Sequence, residues 1–171
     1  HYNNIDDVFD SHSYQKGGRI LHMLRLEVGD ALFFESISNY LHQFQYKTAE
    51  IEDLRLVFER TTGRDLKWFF NQWYQEVGHP KMDIDISYSD STKQLQVVFT
   101  QTQPLDWPIF KLHVPITYAT STGNETKTVF IEEAFEVFNF PLENKPAWVS
   151  VDPNGDMLWE KNEQKDSLML M

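Results

Sequence analysis

Six histidines are the residues of this 171-residue chain best suited to hold a metal ion, and their spacing argues against it. A zinc-binding helix carries two histidines four residues apart with a glutamate after the first, and no such pair occurs, nor any His-x-His. His12, His22 and His42 fall on different helical patterns or at their edges, and His113 lies in an alternating apolar run. Cysteine is absent, which removes thiolate metal sites and disulfides. The sequence DPNGD, Asp152 to Asp156, spaces oxygen ligands at alternate positions. Its glycine is out of place for a calcium loop and no distal glutamate follows, so it reads as a tight turn between strands. Asn124-Glu125-Thr126 has the form of a glycosylation acceptor, meaningful only in a secretory pathway. Trp68, Phe69, Phe70, Trp73 and Tyr74 at helical spacing read as core or domain interface rather than as a ligand box. No P-loop, dinucleotide-binding glycine pattern or Gly-x-Ser-x-Gly is present.

One stretch stays unexplained by these readings. Tyr14 stands in the first turn of a helical pattern, followed by Lys16, Gly17 and Gly18. A glycine inside a helix costs about 1 kcal/mol relative to alanine. Two in succession imply that another backbone packs against that turn, or that the turn holds something in place.

The elements that would position such groups divide into two kinds. From about residue 10 to 78 the apolar period is helical. Ile20, Leu21, Leu24 and Val28 form one stripe; Leu32, Phe33, Ile37, Leu41 and Phe44 form a second, with Asp30 as its expected N-cap. Ile51, Leu54, Val57 and Phe58 follow, opened by Thr48 or Glu50 and closed by Gly63; then Leu66, Phe69, Phe70 and Trp73, capped by Asp65 and stopped by Gly78 and Pro80. From Lys81 the period becomes two, and six or seven short strands separated by turn signals predict a small antiparallel β-sandwich. Pro115 inside one of them predicts an edge strand or a bulge. The predicted class is α+β.

The 26 acidic against 15 basic residues, a net charge of −11, would repel a phosphate backbone, so nucleic acid is not expected as a partner. No run is long enough for a membrane-spanning helix.

Three pieces, in order, carry a resemblance to a known family: "IDDVFDSHSYQKGGRILHML", "YKTAEIEDLRLVFERTTGRDLKWFFNQWYQEVGHP" and "WVSVDPNGDML". They resemble the M1 family of zinc aminopeptidases, gluzincins similar to aminopeptidase N and leukotriene A4 hydrolase. The resemblance implies a parent enzyme that hydrolyses N-terminal residues from peptides. It implies that residues 1–79 are the C-terminal helical part of a thermolysin-like catalytic domain, 80–162 a β-sandwich domain, and 163–171 the start of a further helical domain. Domains on either side would then pack against this chain. In the family, zinc is held by His-Glu-x-x-His and a second glutamate upstream of the matching tyrosine. Zinc is therefore implied for the parent, with no metal ligand expected here.

The resemblance makes Tyr14 the catalytic residue of this part, its hydroxyl meeting negative charge on the carbonyl oxygen under attack. A pre-placed donor of that kind contributes about 3 kcal/mol or more. Gly17 and Gly18 would let a neighbouring element approach and fix the phenol. Lys16 would be structural, His79 a packing residue, and His12 a contact at the substrate's edge. Substrate-binding residues are not identified. The rival expectation is a non-catalytic M1-like scaffold for protein association.

Overall fold

A computed structural model describes the backbone of residues 11–165 and the side chains of residues 14–165. It divides into two compact units, His1–Glu76 and Val77–Met171. The fold is α+β, with a helical unit followed by a sandwich of two largely antiparallel sheets.

The helical unit contains α1 (Ser11–Val28), α2 (Asp30–Phe44), α3 (Ile51–Thr62) and α4 (Lys67–Phe70), the last running on as a π-helical turn, Asn71–Gln75. Of the expected stripes, Ile20, Leu24, Val28, Phe33, Val57, Phe58, Leu66, Phe69, Phe70 and Trp73 are buried and form its core, whereas Leu41 is 61% exposed. Completely burying one such side chain stabilises by about 1.5–3 kcal/mol. The N-cap of α2 differs from expectation. The residue before α2 is Gly29, at φ 84°, and Asp30 is the first helical residue. A single residue joins α1 to α2, at a positive φ that glycine adopts without a Cβ penalty. Asp30 is thereby released from capping and pairs with Arg25 instead. The caps of α3 follow the sequence. The Glu50 N–H donates to Asp53 Oδ2 at 2.9 Å before it, and the Gly63 N–H donates to the Glu59 carbonyl at 2.9 Å after it. Asp65, expected to cap α4, stands one residue ahead of the observed N-cap Leu66, and its Oδ1 accepts from the Lys67 N–H at 2.9 Å.

Among its described residues the second unit has seven strands: β1 (Lys81–Ser89), β2 (Gln94–Gln101), β3 (Leu112–Thr120), β4 (Gly123–Ile131), β5 (Phe135–Pro141), β6 (Val149–Val151) and β7 (Glu160–Lys165). One sheet has the order β5-β2-β1-β7, the other β4-β3-β6. Alternation sets the register. Met82, Ile84 and Ile86 of β1 lie opposite Gln101, Phe99 and Val97 of β2, and Leu112, Val114, Ile116 and Tyr118 of β3 are buried with Ile131 and Val129 of β4. A slip of one residue would turn each set out to water.

One expectation about the strands is corrected. Pro115 is neither on an edge nor at a bulge but in β3, the central strand of its sheet. Its carbonyl accepts from the Asp152 N–H at 2.8 Å, just past the three residues of β6, so its missing N–H faces the side where the ladder has ended. The pairing of β3 with β4 is undisturbed there, with Pro115 opposite Thr128. Strand β7 runs to Lys165 in parallel with β1. Its sequence, EKNEQK, has no apolar alternation to announce a strand.

A candidate catalytic tyrosine on helix α1

Tyr14 stands in the first turn of α1, with 70% of its surface exposed. The helix buries Ile20, Met23, Leu24 and Val28, which leaves the tyrosine on the flank of that stripe. Gly17 and Gly18 follow Tyr14 by three and four residues and so lie on its face of the helix. Helical side chains lean toward the N-terminus, so the residues at these two positions would ordinarily cover the ring. Glycine leaves it uncovered. A Cβ placed on either meets nothing within 4 Å, so no element among the described residues makes the close approach expected there. What the pair achieves within this unit is a bare helix surface beside an exposed phenol.

The far end of α1 is tied down by contacts that the sequence reading missed. Arg25 clamps Asp30 through two hydrogen bonds, Nε to Oδ1 at 2.8 Å and Nη2 to Oδ2 at 2.7 Å. The carboxyl of Asp30 is held below its ordinary pKa chiefly by that hydrogen bond, and the Arg25 guanidinium is raised by the same contact. Arg25 also lies 5.1 Å from the centre of the Phe34 ring, a cation–π distance. Arg64, after α3, donates to the Glu27 carbonyl in the last turn of α1, where helix carbonyls lack partners of their own. A signal was available: an arginine five residues before an aspartate, with a glycine between.

The other candidates scatter. His12 lies outside the residues whose side chains are described. His22 is half-buried on α1. His42 donates from Nδ1 to the Ser38 carbonyl at 2.8 Å on α2. His113, on β3, stacks on Phe130 with ring centres 4.4 Å apart. His79 packs edge-on against Trp107 at 5.7 Å and meets Glu160 Oε1 through Nε2 at 2.7 Å, which suits a packing residue. Among the described residues, no group of three or more His, Asp or Glu side chains could hold a metal ion. Lys16 is exposed.

The two remaining motifs take structural places. In DPNGD, Asp152 is buried at φ 50°, and its carboxylate accepts from the Asp156 N–H at 2.7 Å and the Met157 N–H at 3.2 Å, forming the turn between β6 and β7. Asn124 is exposed at the start of β4. Of the aromatic stripe, Phe69, Phe70 and Trp73 are core, and Tyr74 stacks on Phe70 at 5.6 Å with its phenol pKa raised by burial.

A phenol on an exposed helix flank can donate one hydrogen bond to an oxygen that gains charge during a reaction. It cannot supply a nucleophile or a metal. Comparison with known proteins shows what the chain is similar to. Residues 1–73 match the family model described as the Peptidase family M1 domain. "Probable aminopeptidase 1" of Sulfurisphaera tokodaii is 29% identical over 136 residues, covering 80% of this chain and 17% of that protein. "Aminopeptidase 2, mitochondrial" of Saccharomyces cerevisiae is 25% identical over 175 residues, covering 96% of this chain and 18% of that one. The crystal structure of Legionella pneumophila aminopeptidase A in complex with aspartic acid shares the fold at a TM-score of 0.82 and 17% identity, over 99% of this chain and 20% of that chain. Residues 1–73 are thus similar to the peptidase family M1 domain, and both curated relatives are named aminopeptidases. It spans 17% and 18% of the length of the two curated relatives.

Proposed function

We propose that this chain is part of a zinc aminopeptidase that removes N-terminal residues from peptides, and that its chemical contribution is the hydroxyl of Tyr14. The observation that carries this reading is the exposed phenol at the start of α1, within the residues that match the M1 model. When a peptide carbonyl is attacked, its oxygen gains negative charge. A hydroxyl already aimed at that oxygen donates a stronger hydrogen bond in the transition state than in the ground state, and only that difference accelerates the step. Among the described residues no three His, Asp or Glu side chains lie together as a metal site would need. In this reading the metal and the base that activates water belong to a part of the parent enzyme outside the described residues, and so does the grip on the peptide's amino end. The same reading assigns the helical unit to the end of the catalytic domain and the sandwich to the domain after it.

The test is Tyr14→Phe in the complete parent enzyme, with kcat, KM and zinc content measured on one preparation. Loss of the hydroxyl should lower kcat by about 10²–10³. KM and zinc content should scarcely change. Unchanged turnover with full zinc would remove Tyr14 from catalysis, and a parent with no peptidase activity would favour the scaffold.

A further inference from the structure

Strand β7 is attached to the sandwich by charge where the other strands are attached by packing. Its six residues include no apolar side chain. Among the described residues it is an edge strand, and its ladder, to β1, is parallel, the slightly weaker of the two pairings. Its inward positions, paired with buried Met82, Ile84 and Ile86, are Lys161, Glu163 and Lys165. On β1, β2 and β3 the buried inward positions are apolar, such as Ile84, Val97 and Val114; here they hold an ionic triad. Lys161 Nζ lies 2.6 Å and Lys165 Nζ 3.3 Å from the Glu163 carboxylate. Both lysines also reach the opposite sheet, Lys161 donating to the Val151 carbonyl and Lys165 to the Val149 carbonyl at 2.8 Å. They therefore cover the open edge of β6. On the outer face Asn162 Nδ2 donates to Asp83 Oδ1 at 3.2 Å. At the start of the strand Glu160, itself 60% exposed, takes His79 Nε2 at 2.7 Å and Lys81 Nζ at 3.1 Å.

We propose that β7 is a salt-sensitive latch strand, which opens and recloses on β1 and β6 while the remaining six strands stay folded. Segments with few buried apolar contacts open at low free-energy cost, independently of the core. Partly exposed ion pairs weaken as salt shortens the Debye length from about 10 Å at 0.1 M to about 3 Å at 1 M. Packing of the kind that holds β1 on β2 is not weakened in this way. An open latch frees the chain from Glu160 onward and uncovers the edges of β1 and β6 together.

Amide hydrogen exchange on the folded chain tests this. At 0.1 M NaCl the amides of residues 160–165 should exchange at least about tenfold faster than those of Val97 and Val98 on β2. At 1 M their exchange should accelerate further, with Val97 and Val98 as the internal control. Lys161→Ala with Lys165→Ala should bring the fast regime to low salt, and Lys161→Met with Lys165→Met should restore protection and abolish its salt dependence. If the alanine pair prevents folding, seen as lost protection in β2, the salt series on the unaltered chain decides. Protection of β7 equal to that of Val97 and indifferent to salt would overturn the proposal.

Discussion

The indole of Trp107 fills the space that a side chain on Gly78 would need. A Cβ built on Gly78 would fall 2.2 Å from Trp107 Cε3, and the glycine's φ of 85° is itself unfavourable for any other residue. Trp107 is carried by the loop between β2 and β3, which two glutamines hold in place. Gln101 Oε1 accepts from the Phe110 N–H at 2.9 Å and from Gln103 Nε2 at 2.8 Å, and Gln103 Nε2 also donates to the Pro108 carbonyl at 2.9 Å. The entry to the sandwich is thus fastened by a loop about 30 residues further along.

Gly78→Ala should therefore destabilise the sandwich by about 2–4 kcal/mol, combining a left-handed backbone with overpacking. Trp107→Ala removes the clashing ring but leaves the backbone penalty. The double variant should consequently be less destabilised than the two single changes added together. Denaturant melts of the four chains measure this, and strict additivity would mean that the contact is not what excludes a side chain at 78.

Tyr14→Phe should leave the melting temperature of the chain within about a degree, because a surface change away from a buried network stays within ±0.5 kcal/mol. Leu66→Ala, at a side chain 1% exposed, should cost about 2–5 kcal/mol. Thermal melts of both variants separate a tyrosine kept for its hydroxyl from one kept for packing. A large loss from Tyr14→Phe would favour the structural role.

The Arg25–Asp30 clamp makes a directional prediction about acid. Asp30 has its pKa lowered in the folded chain, mainly by the hydrogen bond from Arg25. An aspartate lowered in this way contributes stability that is fully present above its unfolded pKa of about 3.9 and is lost as pH falls through the folded value. Above pH 5 the contribution should be constant; below about 4 it should fade. Arg25→Gln should flatten that part of the stability profile and move the Asp30 carboxyl resonance midpoint upward in an NMR titration. An unchanged midpoint would show that the clamp does not form in solution.

Asp152→Ala should destabilise the sandwich by about 1–3 kcal/mol, since it leaves two part-buried backbone N–H groups without their acceptor. Asp152→Asn retains one acceptor oxygen and should cost less. Calcium should not raise the melting temperature of the unaltered chain; a stabilisation by calcium that vanishes in Asp152→Asn would make DPNGD a metal loop after all.

Zinc analysis after dialysis should find no stoichiometric metal in the chain, and aminoacyl amide substrates should not be turned over by it. The reason is positive chemistry: a phenol donates to a charged oxygen but cannot generate a nucleophile. Chelator-resistant zinc at one ion per chain would overturn this assignment of roles.

The sequence by itself determined the two periods, and with them the α+β class, the stripes that become cores and the caps of α3. These are local matters, because a 3.6-residue or two-residue repeat of apolar side chains has only one geometry that buries it. It also marked Tyr14 and its glycines as unusual, and through the order of three segments it pointed to the M1 family. Tertiary structure decided what depends on partners distant in the chain. Strand β7 has no apolar alternation and becomes a strand only because β1 offers a parallel edge and β6 offers carbonyls to its lysines. Pro115 can sit in a central strand only because β6 stops short of it. Asp30 reads as a cap until Arg25 takes its carboxylate, and Gly78 reads as a helix stop until Trp107 occupies its missing side chain's place. In each case the deciding group lies on another element or across a turn, and its effect depends on a distance that the order of residues alone does not contain.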